Sequence, residues 1–168
     1  AEGHEFLRAR IRDTNGTWQD HAIDVSSRST TVFNPAVVAA PNGDIVVAWQ
    51  MSGSPDQVQY AKLAHGAPAF SPPTTISNPS NSARNPSLAV DSASTITVAW
   101  AEEDGGNARV LTANVLADSE TWSPPAAFAS PPGESAQEPR IAGTPAGAQS
   151  LVWTQADGPN FRLRVAQR

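Results

Sequence analysis

The side chains that could do chemistry in this chain are arginines, carboxylates and amides set just before or just after short apolar runs. Arg28, Arg84 and Arg140 precede one kind of run, and Gln50, Glu102, Glu103, Asp104 and Gln155 follow another. Guanidinium, carboxylate and carboxamide groups mixed in this way suit hydrogen bonding to a hydroxyl-rich or peptide ligand. They form no set that breaks bonds. His4, His21 and His65 lack a metal-ligand spacing such as His-Glu-x-x-His. No serine sits in Gly-x-Ser-x-Gly. Gly105-Gly106 is a loop tip without the strand-to-helix setting of a phosphate loop. Glu102-Glu103-Asp104 could hold a cation through oxygens, but consecutive acids in a loop are more simply a solvated turn. With no Cys, thiolate sites and disulfides are excluded. The expectation is a protein that holds a ligand without transforming it, with no cofactor and no metal.

Composition narrows the partners. The chain has 168 residues and a formal charge of −5, which disfavours nucleic acid because phosphate binding needs a basic face. No run of eighteen apolar residues is present, so no membrane span is expected. The sequence opens at Ala1 with neither Met nor a leader-like apolar stretch, which reads as a processed protein or a piece of a longer one. Ten Arg against one Lys, with abundant Ala, points to a high-GC source.

The elements that must position the polar groups repeat. Asn34-Pro35, Asn85-Pro86 and Glu138-Pro139 are each followed by an apolar run, a turn and a second run ending in Trp49, Trp100 or Trp153, spaced 51 and 53 residues apart. Trp18, Phe70 and Trp122 keep an independent spacing of 52 and 52. A fixed period of this length signals an array, solenoid or propeller.

Each unit of about 52 residues divides into four strands. Strand a is Ala36–Ala40, Ser87–Val90 and Arg140–Ala142, opened by Pro, whose missing N–H is tolerated at a strand's first position. Strand b is Ile45–Trp49, Ile96–Trp100 and Gln149–Trp153, apolar on both faces and therefore buried on both sides. Strand c is Val58–Leu63, Val110–Val115 and Leu163–Arg168, with Phe6–Ile11 as a further copy. Strand d starts at the second aromatic series and runs through Ile23–Val25, Thr74–Ile76 and Ala126–Phe128; the paired prolines of Ser71-Pro72-Pro73 and Ser123-Pro124-Pro125 make it an edge. No 3.6-residue apolar period appears, so helix is not expected. Tyr60 falls within strand c and reads as a sheet aromatic with an exposed hydroxyl. The fold class is all-β, a β-propeller of four-stranded antiparallel blades, with three blade equivalents. The chain is one domain: residues 1–27 as strands c and d, 28–79 and 80–131 as blades, and 132–168 as strands a, b and c.

Two motifs carry a family resemblance. Ile11-Arg12-Asp13-Thr14-Asn15-Gly16-Thr17-Trp18 is similar to a degenerate Asp box, the c–d turn of sialidase-type propellers, and Asp118–Trp122 keeps its Thr-Trp end. Asn85–Trp100 resembles the units of secreted bacterial proteins with sialidase-like or BNR-like repeats. The resemblance implies a propeller, a secreted or cell-surface location, and only sometimes a sialidase. A sialidase also needs an arginine triad, a Tyr–Glu pair and an Asp acid. Here Arg8, Arg10, Arg12 and Arg162, Arg164, Arg168 alternate with apolar residues, as solvent faces of strands do.

In a propeller the d-to-a crossovers and b-to-c loops share one end of the blades, and loops there vary freely on a rigid scaffold. That end should carry Arg28, Asn34, Gln50, Arg84, Asn85, Glu102, Glu103, Asp104, Glu138, Arg140, Gln155 and Asp157. The repeated Asn34, Asn85 and Glu138 are more simply explained as caps of the following turn, without any ligand. The function expected is a non-catalytic, lectin-like module for a glycan or protein. The alternatives are a glycosidase-like propeller whose catalytic residues lie outside this chain, and a purely structural array. Three blades cannot easily close a ring. Either two copies close one, with Trp18–Val25 completing the last blade as a clasp and Phe6–Ile11 left over, or the chain is part of a longer propeller.

Overall fold

The computed structural model describes residues 5–128, 134–144 and 146–167; His4 and Arg168 lie outside them. Among the described residues there is no helix, and thirteen strands form four antiparallel sheets. The first pairs β1 (Arg8–Ala9) with β2 (Ile23–Asp24). The second is ordered β3 (Val32–Ala39), β4 (Ile45–Met51), β5 (Gln57–Leu63), β6 (Thr74–Thr75). The third is β7 (Ala83–Val90), β8 (Thr95–Asp104), β9 (Asn107–Leu116), β10 (Ala126–Ala127). The fourth is β11 (Ala136–Gly143), β12 (Gln149–Asp157), β13 (Asn160–Gln167). The second and third sheets carry strands a to d in order, as a propeller blade does, and in each d is a two-residue edge that follows a Pro-Pro pair.

Two boundaries differ from expectation. Strand a begins four residues earlier, so its proline lies inside the strand. There the register slips between Phe33 and Ala36, Arg84 and Ser87, and Gln137 and Arg140. A bulge frees one position from the ladder, and a proline can occupy it at no loss of a hydrogen bond. Strand b runs on beyond its tryptophan, so Gln50, Glu102, Glu103, Asp104 and Gln155 belong to strands and not to loops. The hairpin after β8 closes on Gly105-Gly106 alone, both at positive φ (64° and 97°), a conformation that glycine adopts without a side-chain clash. The clasp is also corrected: β2 pairs with β1 of its own sheet, Arg8 opposite Asp24, and does not complete the last blade.

Period-two alternation drives the packing. Ile45, Val47 and Trp49 face the β1–β2 sheet, while Val46 and Ala48 face the third sheet. The same division places Ile96, Val98 and Trp100 against the second sheet, and Leu151 and Trp153 against the third. Trp49, Trp100 and Trp153 are 0, 0 and 3% exposed and fill the seams between blades, as their repeat position predicts. Each such residue withdraws enough apolar surface to contribute about 2–3 kcal/mol. Tyr60 departs from expectation: it is buried, its ring meeting Trp122 edge-on at 5.2 Å, because the next blade covers that side of β5.

Register makes Val58, Val110 and Leu163 equivalent, since Trp49, Trp100 and Trp153 pair with Gln59, Leu111 and Arg164. Val58 and Val110 are fully buried by the following sheet, whereas Leu163 is 70% exposed. The outer flank of β12–β13 is an uncovered blade face.

Candidate functional site

The crossover end is built by the bulges. Asn34, Asn85 and Glu138, each just before a bulge proline, sit at φ 50°, 55° and 52°. A residue before proline favours extended backbone, and a non-glycine side chain in the left-handed region is strained, more so for Glu than for Asn. Three repeats keep this conformation at the same point of the innermost strand. Such strain concentrates where a fold aims side chains at a site.

Asn34 is aimed across the seam. Its Nδ2 donates to Asn85 Oδ1 at 2.7 Å and to Gln50 Oε1 at 3.2 Å. Gln50 Nε2 in turn donates to Asp56 Oδ2 at 2.9 Å, and Asp56 Oδ1 accepts the Gly53 N–H at 3.0 Å. A polar chain thus runs from the β4–β5 loop through two blades. Asp56 is the member the sequence reading passed over; its place just after Pro55 in the loop was the available signal. Beside this chain lies a shallow cleft of ≈410 Å³, floored by Pro86 and Leu88 and bordered by Asn34 and Arg140. Arg140 is exposed, and its guanidinium returns one hydrogen bond to the Pro139 carbonyl at 2.8 Å. Arg84 pairs with Glu103, both partly exposed.

The remaining expected residues are elsewhere occupied. Glu102 is 5% exposed: its carboxylate accepts the Trp100 indole N–H at 2.9 Å, the Asn78 N–H at 3.1 Å and the Asn81 amide at 3.3 Å. Gln155 is fully buried, accepting from Trp153 Nε1 at 2.8 Å and donating to the Glu134 carbonyl at 2.9 Å. Both tie a crossover loop to a seam tryptophan, which directs them away from solvent. Arg28 lies in the β2–β3 crossover, bound to Asp24 at 2.8 Å and stacked 4.9 Å from the Phe6 ring centre. Asp157 pairs with Arg162. Asp104 ends β8 opposite Asn107. The structure therefore gathers Asn34, Gln50, Arg84, Asn85, Glu103 and Arg140 at one end, and turns Glu102 and Gln155 inward.

The Asp-box-like turn is a structural device. Asp13 Oδ1 accepts the Thr17 N–H at 2.7 Å, and Gly16 takes φ 87°.

No known family profile and no curated protein sequence matches the chain. Solved structures do. A Hadza microbial sialidase, Hz136, superposes with a TM-score of 0.67 at 14% identity over 97% of this chain and 43% of its own. A protein of unknown function from Dyadobacter fermentans gives 0.70 at 14% identity, covering 94% and 44%. An endo-arabinase from Bacteroides thetaiotaomicron gives 0.59 at 7% identity, covering 95% and 64%. The likeness is one of fold. This chain spans less than half the length of the first two structures.

Proposed function

We propose that the chain is a non-catalytic, carbohydrate-binding propeller module that holds a glycan at its crossover end. The Asp56–Gln50–Asn34–Asn85 chain carries this reading, because it positions amides beside the exposed guanidinium of Arg140 at an open cleft. Fixed amides and arginine suit the vicinal hydroxyls of a sugar. Sialidase, arabinase and polysaccharide lyase among the structural neighbours support a carbohydrate setting. The carboxylates at this end also support binding over hydrolysis. Asp56 is bound to Gln50 and Gly53, Glu103 to Arg84, and Glu102 is buried. Those three carboxylates are thus held by protein partners instead of standing free as the acid and base of glycoside hydrolysis. A glycan array probed with the chain and with Arg140→Ala and Arg84→Ala tests the proposal. Binding that both substitutions weaken supports it; no signal above background leaves a structural array.

A second reading is favoured by the uncovered flank at Leu163: a larger glycosidase-type propeller, with the catalytic residues on further blades. Hydrolysis of a fluorogenic sialoside by this chain alone would favour catalysis within it. Location at the cell surface or outside it, in a bacterium, accompanies both readings. Closure of the ring by a second copy is the assembled form of the first, and light scattering at micromolar concentration checks it: a strict monomer removes it.

A further inference from the structure

At the opposite end of the blades, β5 and β6 meet the turn that joins β9 to β10 around a recess of ≈170 Å³. Its walls include Tyr60, Lys62, Ser71, Pro72, Thr74 and Glu120. It lies between the two four-stranded blades, so it is independent of either flank of the array.

Two donors in this recess are underused. Lys62 is the single lysine of the chain, and its side chain is 15% exposed. An ammonium carries three donors. One reaches the Ala117 carbonyl at 3.0 Å, while Asp44 Oδ2 and Glu120 Oε1 stand at 4.0 and 3.9 Å, beyond hydrogen-bond reach. The Tyr60 hydroxyl, on a residue only 8% exposed, meets the Glu120 backbone carbonyl at 3.5 Å, a long contact. Buried polar groups in native proteins almost always have good partners. Here both side chains line a space that a solute can enter.

Charge and shape restrict that solute. Lys62 and Glu120 both line the recess, so an anion meets Glu120 and a cation meets Lys62. A neutral ligand escapes both conflicts. It must offer several hydroxyls, to accept from Lys62 and Tyr60 and donate to Glu120, and a carbon face to lie on Pro72.

We propose that this inter-blade recess binds one neutral pyranose unit. Lys62 and Tyr60 donate to ring hydroxyls, Glu120 accepts, and Pro72 forms the carbon wall. The site is separate from the crossover cleft and stands or falls without it.

Saturation-transfer NMR tests the proposal, with the methyl glycosides of glucose, galactose and N-acetylglucosamine as probes and glycerol as a generic polyol control. At least one glycoside should receive transfer while glycerol does not. Tyr60→Phe, which keeps the ring and its packing on Trp122, should weaken that binding at least fivefold, and Lys62→Met likewise. Should Lys62→Met unfold the chain, Tyr60→Phe and Glu120→Gln decide alone. These variants are made in an Arg140→Ala background, so that the crossover cleft adds nothing to the signal. No transfer to any glycoside, transfer equal to glycerol's, or transfer that Tyr60→Phe and Glu120→Gln both leave intact overturns the proposal. Transfer seen with the parent chain but absent in the Arg140→Ala background also overturns it, by placing the signal in the crossover cleft.

Discussion

The indole Nε1 of Trp100 donates to Glu102 Oε2 two residues along the same strand, at 2.9 Å, inside a seam that solvent does not reach. Trp153 and Gln155 repeat the arrangement at 2.8 Å. Trp49 does not: its Nε1 is buried without a partner, because the residue two positions on is Met51, which has no oxygen to offer. Of the three strand-b tryptophans, Trp49 alone leaves its indole donor unpaired.

Met51→Gln should supply the missing acceptor. A buried donor left unpaired costs roughly 1–3 kcal/mol, from which the lost packing of a partly buried methionine must be subtracted. The expected gain is about 1 kcal/mol. For a chain of this size it corresponds to a rise in Tm of about 2–4 °C. Calorimetry checks this, and a lowered Tm would show that the methionine's packing outweighs the hydrogen bond.

The reverse substitution should be costly. Glu102→Ala removes the acceptor for Trp100, Asn78 and Asn81 together, so the third blade loses both its seam bond and its tie to the crossover loop. A loss of about 3 kcal/mol is expected by denaturant unfolding. Glu102→Gln, which copies the natural Gln155, should cost less than half of that. Equal losses from both would mean that the negative charge, and not the acceptor, is what the seam requires.

Glu138→Gly should stabilise the fold while Glu138→Val destabilises it. Glu138 holds φ 52°, which costs an L-residue about 1–2 kcal/mol and costs glycine almost nothing. Glycine's greater freedom in the unfolded chain returns about 0.5–1 kcal/mol of that gain. The net is about 0.5–1 kcal/mol in favour of glycine. A β-branched valine should lose at least about 1 kcal/mol. Paired melts of the two variants give the sign directly, and a destabilised glycine variant would mean that the glutamate side chain contributes more than its backbone strain costs.

These particulars separate what the sequence discloses from what only geometry does. The blade was legible because Trp49, Trp100 and Trp153 must be buried and therefore keep register, and the d edge because paired prolines cannot enter a ladder. The bulges were not. Asn34-Pro35 reads as a strand start or a turn cap, and only the slip between Phe33 and Ala36 reveals a strained residue within a strand. The fate of Glu102 and Gln155 was hidden for a related reason. Two positions after a tryptophan looks like a loop, until a two-residue hairpin lengthens the strand and carries both side chains into the seam. Tyr60 was misjudged because its cover comes from the neighbouring blade, and alternation within one strand cannot say which faces a neighbour hides.

The uncovered flank offers the last prediction, since repeat-equivalent positions serve as each other's controls. Val110 and Leu163 occupy the same place in strand c, one fully buried and the other 70% exposed. Val110→Lys forces an ammonium into the apolar cluster of Ala99, Phe128 and Trp153. A loss of at least about 4 kcal/mol is expected, enough to unfold an ordinary domain of modest stability. Leu163→Lys places the same charge in water and should change stability by no more than about 0.5 kcal/mol. Circular dichroism melts of the two variants test the contrast. If Leu163→Lys proves as damaging as Val110→Lys, the flank is covered in solution, and light scattering on the parent chain will show whether a second copy does the covering.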